Sequence, residues 1–311
     1  MSPAIWQTAQ KHRKPVLCNF LGRAEDSAGF VELVTHRVPS YSYPESAARA
    51  LAAMHRYARY REREEGEVRT FPVDRGVAES VLARARTENR FLLRGDEANR
   101  LLEAYGIRTA KTRFVRSVDG LAGAAKEIGY PVVLKAVGPT LVHKSEMQAV
   151  LLDVRGKEAL LDGASGIAAR LRERGVALEG FLVQEFVTGG TEVILGMTRD
   201  KVYGPCLVFG LGGIYVEYLK DVTFGLPPLT DRDAMRMIES IRTYPLLKGV
   251  RGEPPRDVKA LQDGLLRLAQ LVSDSDQVQE LDLNPVVVLP EGKGYRAVDA
   301  RIVLSPPSVR T

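Results

Sequence analysis

The sequence predicts a mixed α/β chain of the α+β kind, and three observations predict it. Short apolar runs alternate with longer stretches whose apolar residues recur at helical spacing. Gly106, Gly129 and Gly175 stand where helical stretches stop, the usual place for a left-handed cap. Near the end, two strand-like runs, 279–289 and 295–303, flank Pro290-Glu291-Gly292-Lys293-Gly294, as the arms of a hairpin would.

Taken in order, Pro15-Val16-Leu17-Cys18-Asn19-Phe20 reads as a short buried strand. A weak helix over 27–33 and an extended piece over 38–41 follow. Pro44-Glu45-Ser46 starts a helix with Ala47, Ala50, Leu51, Met54 and Tyr57 on one face. This β-α-β-α segment is too short to close a doubly wound sheet alone. A charge run over 59–69 and a turn-rich stretch over 71–76 separate it from two helices, the second over 96–105. The remainder reads as strands over 112–115, 131–137, 149–154, 181–186, 192–197 and 205–209. Helices are expected over 117–128, 165–174, 231–242 and 257–272. No internal repeat is visible.

Composition bounds the possibilities. The 311 residues are 45% hydrophobic and 27% charged, ordinary for a globular chain long enough for two domains. A net charge of +5 suits either an anion-binding protein or an Arg-rich solvated surface. No basic stripe interleaved with aromatics argues for nucleic acid. Cys18 and Cys206 are too few and too far apart for a disulfide framework, so a reducing cytoplasm is expected. The first residues lack the apolar core of a signal peptide, and no apolar run reaches about 18 residues, so no membrane span is expected.

Five constellations carry chemistry. In Glu280-Leu281-Asp282-Leu283-Asn284-Pro285 the polar residues alternate, so a strand places them on one face. Pro285 cannot donate to a ladder, so the strand is expected to be at an edge or irregular there. If the hairpin turns near Gly292, Asn284 lies opposite or next to Asp299, and their oxygens make a hard-cation site suited to magnesium. The plain alternative is a solvated face with a salt bridge to Arg301. Lys135, at the end of the apolar run Tyr130-Pro131-Val132-Val133-Leu134, can reach a phosphate as a point charge. In Val183-Gln184-Glu185-Phe186-Val187-Thr188-Gly189-Gly190-Thr191-Glu192, a strand edge can hydrogen-bond adenine while an acid holds ribose hydroxyls; the alternative is an ordinary hairpin. The glycine-rich stretch 209–217 lacks dinucleotide or P-loop spacing, but its amides can cradle an anion, and Glu217 and Asp221 beyond it could hold a metal or a phosphorylated group. His143 is the only histidine after residue 55; it is either a surface loop residue or a nucleophile toward phosphorus.

In this order, Lys135, Glu185, Glu192 and the Asn284/Asp299 hairpin resemble the ATP-grasp fold. More closely, Tyr130–Lys135, His143-Lys144-Ser145, Val183-Gln184-Glu185, Phe209–Glu217, Leu247-Lys248-Gly249-Val250-Arg251-Gly252, Glu280–Pro285 and Val298–Arg301 look like the signature blocks of the ADP-forming acetyl-CoA (acyl-CoA) synthetase beta region. Residues 15–60 resemble the end of that family's alpha, CoA-ligase-like region, a partial flavodoxin-like segment. The resemblance implies a partial CoA-ligase-like subdomain over 1–66, a linker over 67–89, and an ATP-grasp domain over 90–311 with subdomains 90–182 and 183–311.

That family converts acyl-CoA, ADP and phosphate to acid, CoA and ATP, with phosphohistidines between acyl phosphate and nucleotide. Carried over by position, Lys135 would contact nucleotide phosphates and the backbone of Glu185, Phe186 and Val187 would hold adenine. Glu192 would hold ribose, and Asn284 and Asp299 would ligate Mg2+. His143 would be the second phosphohistidine, with Glu217 also catalytic. The family's CoA-binding domain and first phosphohistidine should precede residue 15. A CoA-binding alpha subunit or domain is therefore expected in trans, supplying CoA and acyl phosphate, and an oligomer is expected. One departure stands inside the resemblance: Gln148-Ala149 occupies the place of two glycines, which should cost phosphate contacts or loop mobility. It motivates a second reading, a non-catalytic nucleotide-binding or regulatory paralogue. The abrupt start motivates a third, a fragment of a longer chain.

Overall fold

The computed structural model describes residues 2–12, 14–19, 28–138, 141, 147–213, 220–250 and 252–306. By its internal contacts the chain divides into two units, Met1–Glu65 and Gly66–Thr311.

The first unit carries helices α1 (Ser2–His12), α2 (Ala28–Thr35) and α3 (Pro44–Arg61) and two short parallel strands, β1 (Cys18–Asn19) and β2 (Ser40–Tyr41). The expected β-α-β-α order is present, preceded by α1, which the sequence reading missed. Its core is small: Leu33 and Val38 are buried, and Trp6 stacks on His36 with ring centroids 4.0 Å apart. Helix α3 forms where Pro44 predicts it, but no residue of it is buried. Leu51, Met54 and Tyr57, expected on one face, are all exposed.

The second unit contains two antiparallel sheets. The four-stranded sheet has the order β3-β6-β4-β5, with β3 Thr112–Val115, β4 Val132–Val137, β5 Val150–Val154 and β6 Gly180–Glu185. Helices α6 (Leu121–Ile128) and α7 (Lys157–Glu173) cover one face of it. Strand alternation sends Val132, Leu134, Ala136, Phe181 and Val183 into a core with Leu121, Leu160, Ile167 and Leu171. The opposite face therefore carries Thr112, Leu182, Gln184 and Lys135, which are register neighbours or lie two apart.

The larger sheet has the order β11-β10-β7-β8-β9, with β12 also paired to β10. Its strands are β7 (Thr191–Asp200), β8 (Gly204–Leu211), β9 (Val222–Gly225), β10 (Val278–Val288), β11 (Tyr295–Ala297) and β12 (Ala300–Leu304). Helix α8 (Asp231–Ser240), the short α9 (Tyr244–Leu247) and α10 (Val258–Asp274) contribute to its core. Helix α10 buries Leu261, Leu265, Leu266, Leu268 and Leu271, each worth roughly 1.5–3 kcal/mol of transfer free energy. The final hairpin takes the expected turn, but its return arm is two strands, β11 and β12, interrupted at Val298-Asp299.

The stretch 67–89, expected to link the domains, contains helix α4 (Arg75–Thr87), the first of the two helices expected there. Asp74 caps it by accepting from the Val77 amide, and Ala78, Val81, Leu82 and Ala85 enter the larger core. Spacing of three and four residues puts those four on one stripe; the arginines between them mask it in the composition. Helix α5 (Gly95–Ala104) follows and packs on α4. No helix among the described residues is long and apolar enough to cross a membrane.

Candidate functional site

Val298-Asp299 is where the two sheets of the second unit meet in polar contact. Lys135 leaves the exposed-facing side of β4, and its Nζ lies 3.4 Å from the Val298 carbonyl oxygen and 3.8 Å from the Asp299 carboxylate. The Lys135 side chain is only 12% exposed, whereas that of Asp299 is 58% exposed. The ion pair is thus half sheltered, with one partner open to a ligand.

Asn284 and Asp299 are brought together as the hairpin reading requires. The Asn284 amide donates to the Asp299 carbonyl at 3.2 Å, and the Val298 amide donates to the Pro285 carbonyl at 3.0 Å. Strand β10 is not at an edge, because β7 lies on one side of it and β11 and β12 on the other. It is irregular instead: its register against β7 shifts between Leu283 and Val286, the place where Pro285 has no N–H to give. The alternation also holds, with Leu281 and Leu283 buried and Glu280, Asp282 and Asn284 more open. Arg301 pairs with Glu280, leaving Asn284 and Asp299 outside that salt bridge. Burial first, then the charges of Asp299 and Glu280, push the Asp282 carboxyl above its usual range.

This donor set fits a hard divalent cation. It offers an amide oxygen and a carboxylate from two exposed residues on a hydrogen-bonded turn. Among the described residues no group of three or more His, Cys, Asp or Glu could hold a metal. A cation here would draw its remaining oxygens from water and phosphate, the habit of magnesium.

Glu192 sits on β7 beside this turn. It shares an open cavity of about 540 Å³ with Thr191, Gly212, Gly213, Leu246 and Asn284. Its carbonyl accepts from the Gly212 amide at 2.9 Å. Gly213 has φ +73°, a left-handed backbone that favours glycine, and a Cβ there would lie 2.5 Å from Glu192 Oε2, so the carboxylate would have to turn aside. A second cavity, of about 200 Å³, is lined by Lys135, Gln184, Thr112, Asn99, Val298 and Asp299 among others.

Glu185 and Phe186 are fixed to the neighbouring chain. The Glu185 amide donates to the Lys111 carbonyl at 2.8 Å, its carboxylate accepts from the Lys111 amide, and the Phe186 amide donates to Pro131. Among the described residues no hydrogen bond engages the Val187 amide. The turn after it is anchored by Arg256, which sequence reasoning missed. This buried guanidinium donates to the Gly189 carbonyl and to Thr191 Oγ1, and it pairs with Glu253. A lone arginine in a loop carries no sequence signal of such a task.

Gln184 was also missed as a side chain. It is 4% exposed, and its Nε2 donates to the Val298 carbonyl at 2.8 Å. The signal for it was a polar residue directly after the apolar run Phe181-Leu182-Val183 on the same strand.

Asp221 is a correction. It was expected to help hold metal or phosphate, but it is 8% exposed and fully committed. Its carboxylate accepts from the Arg242 and Thr243 amides at 2.9 and 2.8 Å and from the Thr243 hydroxyl at 2.5 Å. Burial would raise its carboxyl; these donors outweigh burial and hold it below the usual range. Asp221 therefore pins the start of α9. His143 and Glu217 lie outside the described residues.

At the place of the first missing glycine, Gln148 has φ +51°. Glutamine takes up the left-handed backbone that glycine adopts without cost, and its carbonyl accepts from Arg170 of α7 at 3.0 Å. Ala149 is fully buried, and its carbonyl accepts from the Ala136 amide.

Comparison with known proteins identifies the family and the fold. Residues 84–304 match the ATP-grasp domain family. The chain is 41% identical over 231 residues to acetate--CoA ligase [ADP-forming] II subunit beta of Pyrococcus furiosus, covering 73% of this chain and 96% of that one. It is 38% identical over 306 residues to 4-hydroxybutyrate--CoA ligase [ADP-forming] of Nitrosopumilus maritimus, covering 98% of this chain but 44% of that protein. Against acetate--CoA ligase [ADP-forming] I of Archaeoglobus fulgidus it likewise spans 42% of the relative's length. Among solved structures, it superposes with a TM-score of 0.70 and 38% identity on a chain of an acetyl-coenzyme A synthetase from Candidatus Korarchaeum cryptofilum in complex with coenzyme A and Ca-AMPCP, covering 73% of this chain and all of that one. The same synthetase with Mg-AMPPCP, its phosphohistidine segment pointing towards the nucleotide site, superposes with a TM-score of 0.66 at 36% identity. Through residues 84–304, the chain belongs to the ATP-grasp family, and within it to the ADP-forming acyl-CoA ligases.

Proposed function

We propose that this chain is the ATP- and magnesium-binding component of an ADP-forming acyl-CoA synthetase, moving a phosphoryl group between nucleotide and a phosphohistidine. The observation that carries this reading is the convergence of Lys135, Val298 and Asp299, in a chain 41% identical to a beta subunit of such a ligase. Lys135 meets nucleotide phosphate, the backbone at Glu185 to Val187 meets adenine, and Glu192 meets ribose. Asn284 and Asp299 hold Mg2+, which neutralises phosphate charge when bound. Glu217 serves the phosphoryl transfer. His143 takes the phosphoryl group on a ring nitrogen as the ADP oxygen leaves, and returns it in the reverse direction. A CoA-binding alpha subunit or domain supplies CoA and acyl phosphate, as the separate beta subunits among the relatives suggest.

Magnesium-dependent ATP binding to wild type and Asp299→Ala tests the nucleotide half. Equal binding by both would refute the metal assignment. Incubation with [γ-32P]ATP and a matching alpha partner tests the relay: label on His143 is expected, and its absence from wild type would overturn it. The second reading, nucleotide binding without chemistry, rested on the lost glycines. Gln148 keeps a left-handed backbone at that position, which weakens the motive for it.

A further inference from the structure

Gln184 is built in a way that burial alone does not explain. Its Nε2 donates to the Val298 carbonyl at 2.8 Å and to Thr112 Oγ1 at 3.3 Å. Thr112 Oγ1 donates to the Ala110 carbonyl at 2.8 Å and accepts from Asn99, so the hydroxyl fixes the amide from behind. The other amide atom, Oε1, is buried and has no hydrogen-bond partner among the described residues. Rotating the amide by half a turn would set Oε1 against the Val298 carbonyl, oxygen to oxygen, so the observed orientation is the one the site requires. An unpaired buried oxygen costs stability, and methionine of similar shape would fill the space without it. The amide is retained for what its N–H does.

That N–H holds the peptide preceding Asp299. The Val298 carbonyl also receives Lys135 Nζ, at the longer distance of 3.4 Å. The adjoining backbone is bonded to Asn284 and Pro285. We propose that Gln184 is a positioning residue. It clamps the Val298-Asp299 turn of the larger sheet against the four-stranded sheet and so sets where the Asp299 carboxylate stands. Lys135 is then released to turn to phosphate without the turn losing its register, since the shorter bond to Val298 persists. This inference rests on the magnesium role given to Asn284 and Asp299 above. Outer partners that orient a metal's ligands typically change metal affinity about 10- to 100-fold when removed.

The experiment is calorimetric titration of ATP into the 311-residue chain across a series of Mg2+ concentrations. For Gln184→Met, the Mg2+ concentration giving half of the magnesium-dependent gain in affinity rises about tenfold. Magnesium-free ATP affinity stays within about twofold, and the melting temperature does not fall, because an unpaired oxygen has gone. Gln184→Glu keeps the shape, loses the donor as a carboxylate, and shows the same rise. An unchanged Mg2+ requirement in both variants overturns the proposal. So does an equal loss of magnesium-free and magnesium-dependent binding, which would mark Gln184 as merely structural. Asp299→Ala separates the two levels. If it binds ATP–Mg like wild type, the metal assignment has failed. If it loses the magnesium effect while the Gln184 variants keep it, only the clamp has failed.

Discussion

Asp221 and Asp299 both stand at the ends of strands in the larger sheet, and both invite a metal or phosphate role from their neighbours in sequence. Their surroundings are opposite. Asp221 is buried and its oxygens take three hydrogen bonds from Arg242 and Thr243. Asp299 is 58% exposed and faces one lysine whose side chain is 12% exposed. A carboxylate saturated by backbone amides is spent on holding a chain turn, whereas one met by a single lysine remains open to a ligand. The difference between a structural acid and a candidate ligand is thus whether the fold has already supplied its donors.

The largest effect expected from this contrast is on stability. Asp221→Ala removes a buried hub and leaves two amides and a hydroxyl short of an acceptor, so it should cost about 3 kcal/mol by denaturant unfolding while leaving the Mg2+ requirement for ATP binding unchanged. The sign with pH follows from the depressed carboxyl. Its contribution is complete above the ordinary value of 3.8 and is lost as pH falls through the lower folded value. The gap between wild type and variant should therefore close on acidification below that range; a gap that widens would contradict the assignment.

Asp299→Ala should do the reverse. A loss of about 30-fold in magnesium-dependent ATP affinity, roughly 2 kcal/mol at 1.4 kcal/mol per tenfold, is expected with little change in unfolding, since the Lys135 pair is half open to water. A large stability loss without a binding change would erase the contrast.

Gly213→Ala probes the loop that passes Glu192. Positive φ and a Cβ 2.5 Å from Glu192 Oε2 should cost about 1–2 kcal/mol and weaken ATP equally with and without Mg2+. A change confined to the magnesium-dependent part would move Glu192 into the metal's surroundings. Smallest is Gln148→Gly, which relieves the left-handed glutamine at φ +51°. The strain relieved, about 1 kcal/mol, is partly offset by a more flexible unfolded chain, so a gain of about 0.5 kcal/mol is expected in the melting curve.

Much of the candidate site was legible because its residues lie on strands, where alternation alone assigns a face. Glu280, Asp282 and Asn284 separated from the leucines between them without any knowledge of the fold, and the hairpin turn placed Asp299 beside Asn284. Gln184 and Arg256 were not legible as site residues. Their partners, Val298 and Gly189, lie 114 and 67 residues away along the chain, and no local pattern encodes a hydrogen bond of that span.

Helices α3 and α4 show the same limit for the fold. Both are rich in alanine and arginine, and the sequence places Ala47, Ala50, Leu51, Met54 and Tyr57 of α3 on one face. Yet α3 buries none, while α4 buries Ala78, Val81, Leu82 and Ala85. Local propensity makes either segment helical; whether its stripe is covered depends on what chain arrives beside it.

The sequence by itself determined the α/β class, the strand faces, the irregularity at Pro285 and the pairing of Asn284 with Asp299, because each follows from backbone geometry within a few residues or one turn. The tertiary structure alone decided that Lys135 and Gln184 of one sheet converge on a single carbonyl of the other, that Asp221 is spent on a turn, and that Gln148 keeps a backbone suited to glycine. Those outcomes depend on where distant segments pack, and burial, not residue type, settles which polar atoms stay open to a ligand.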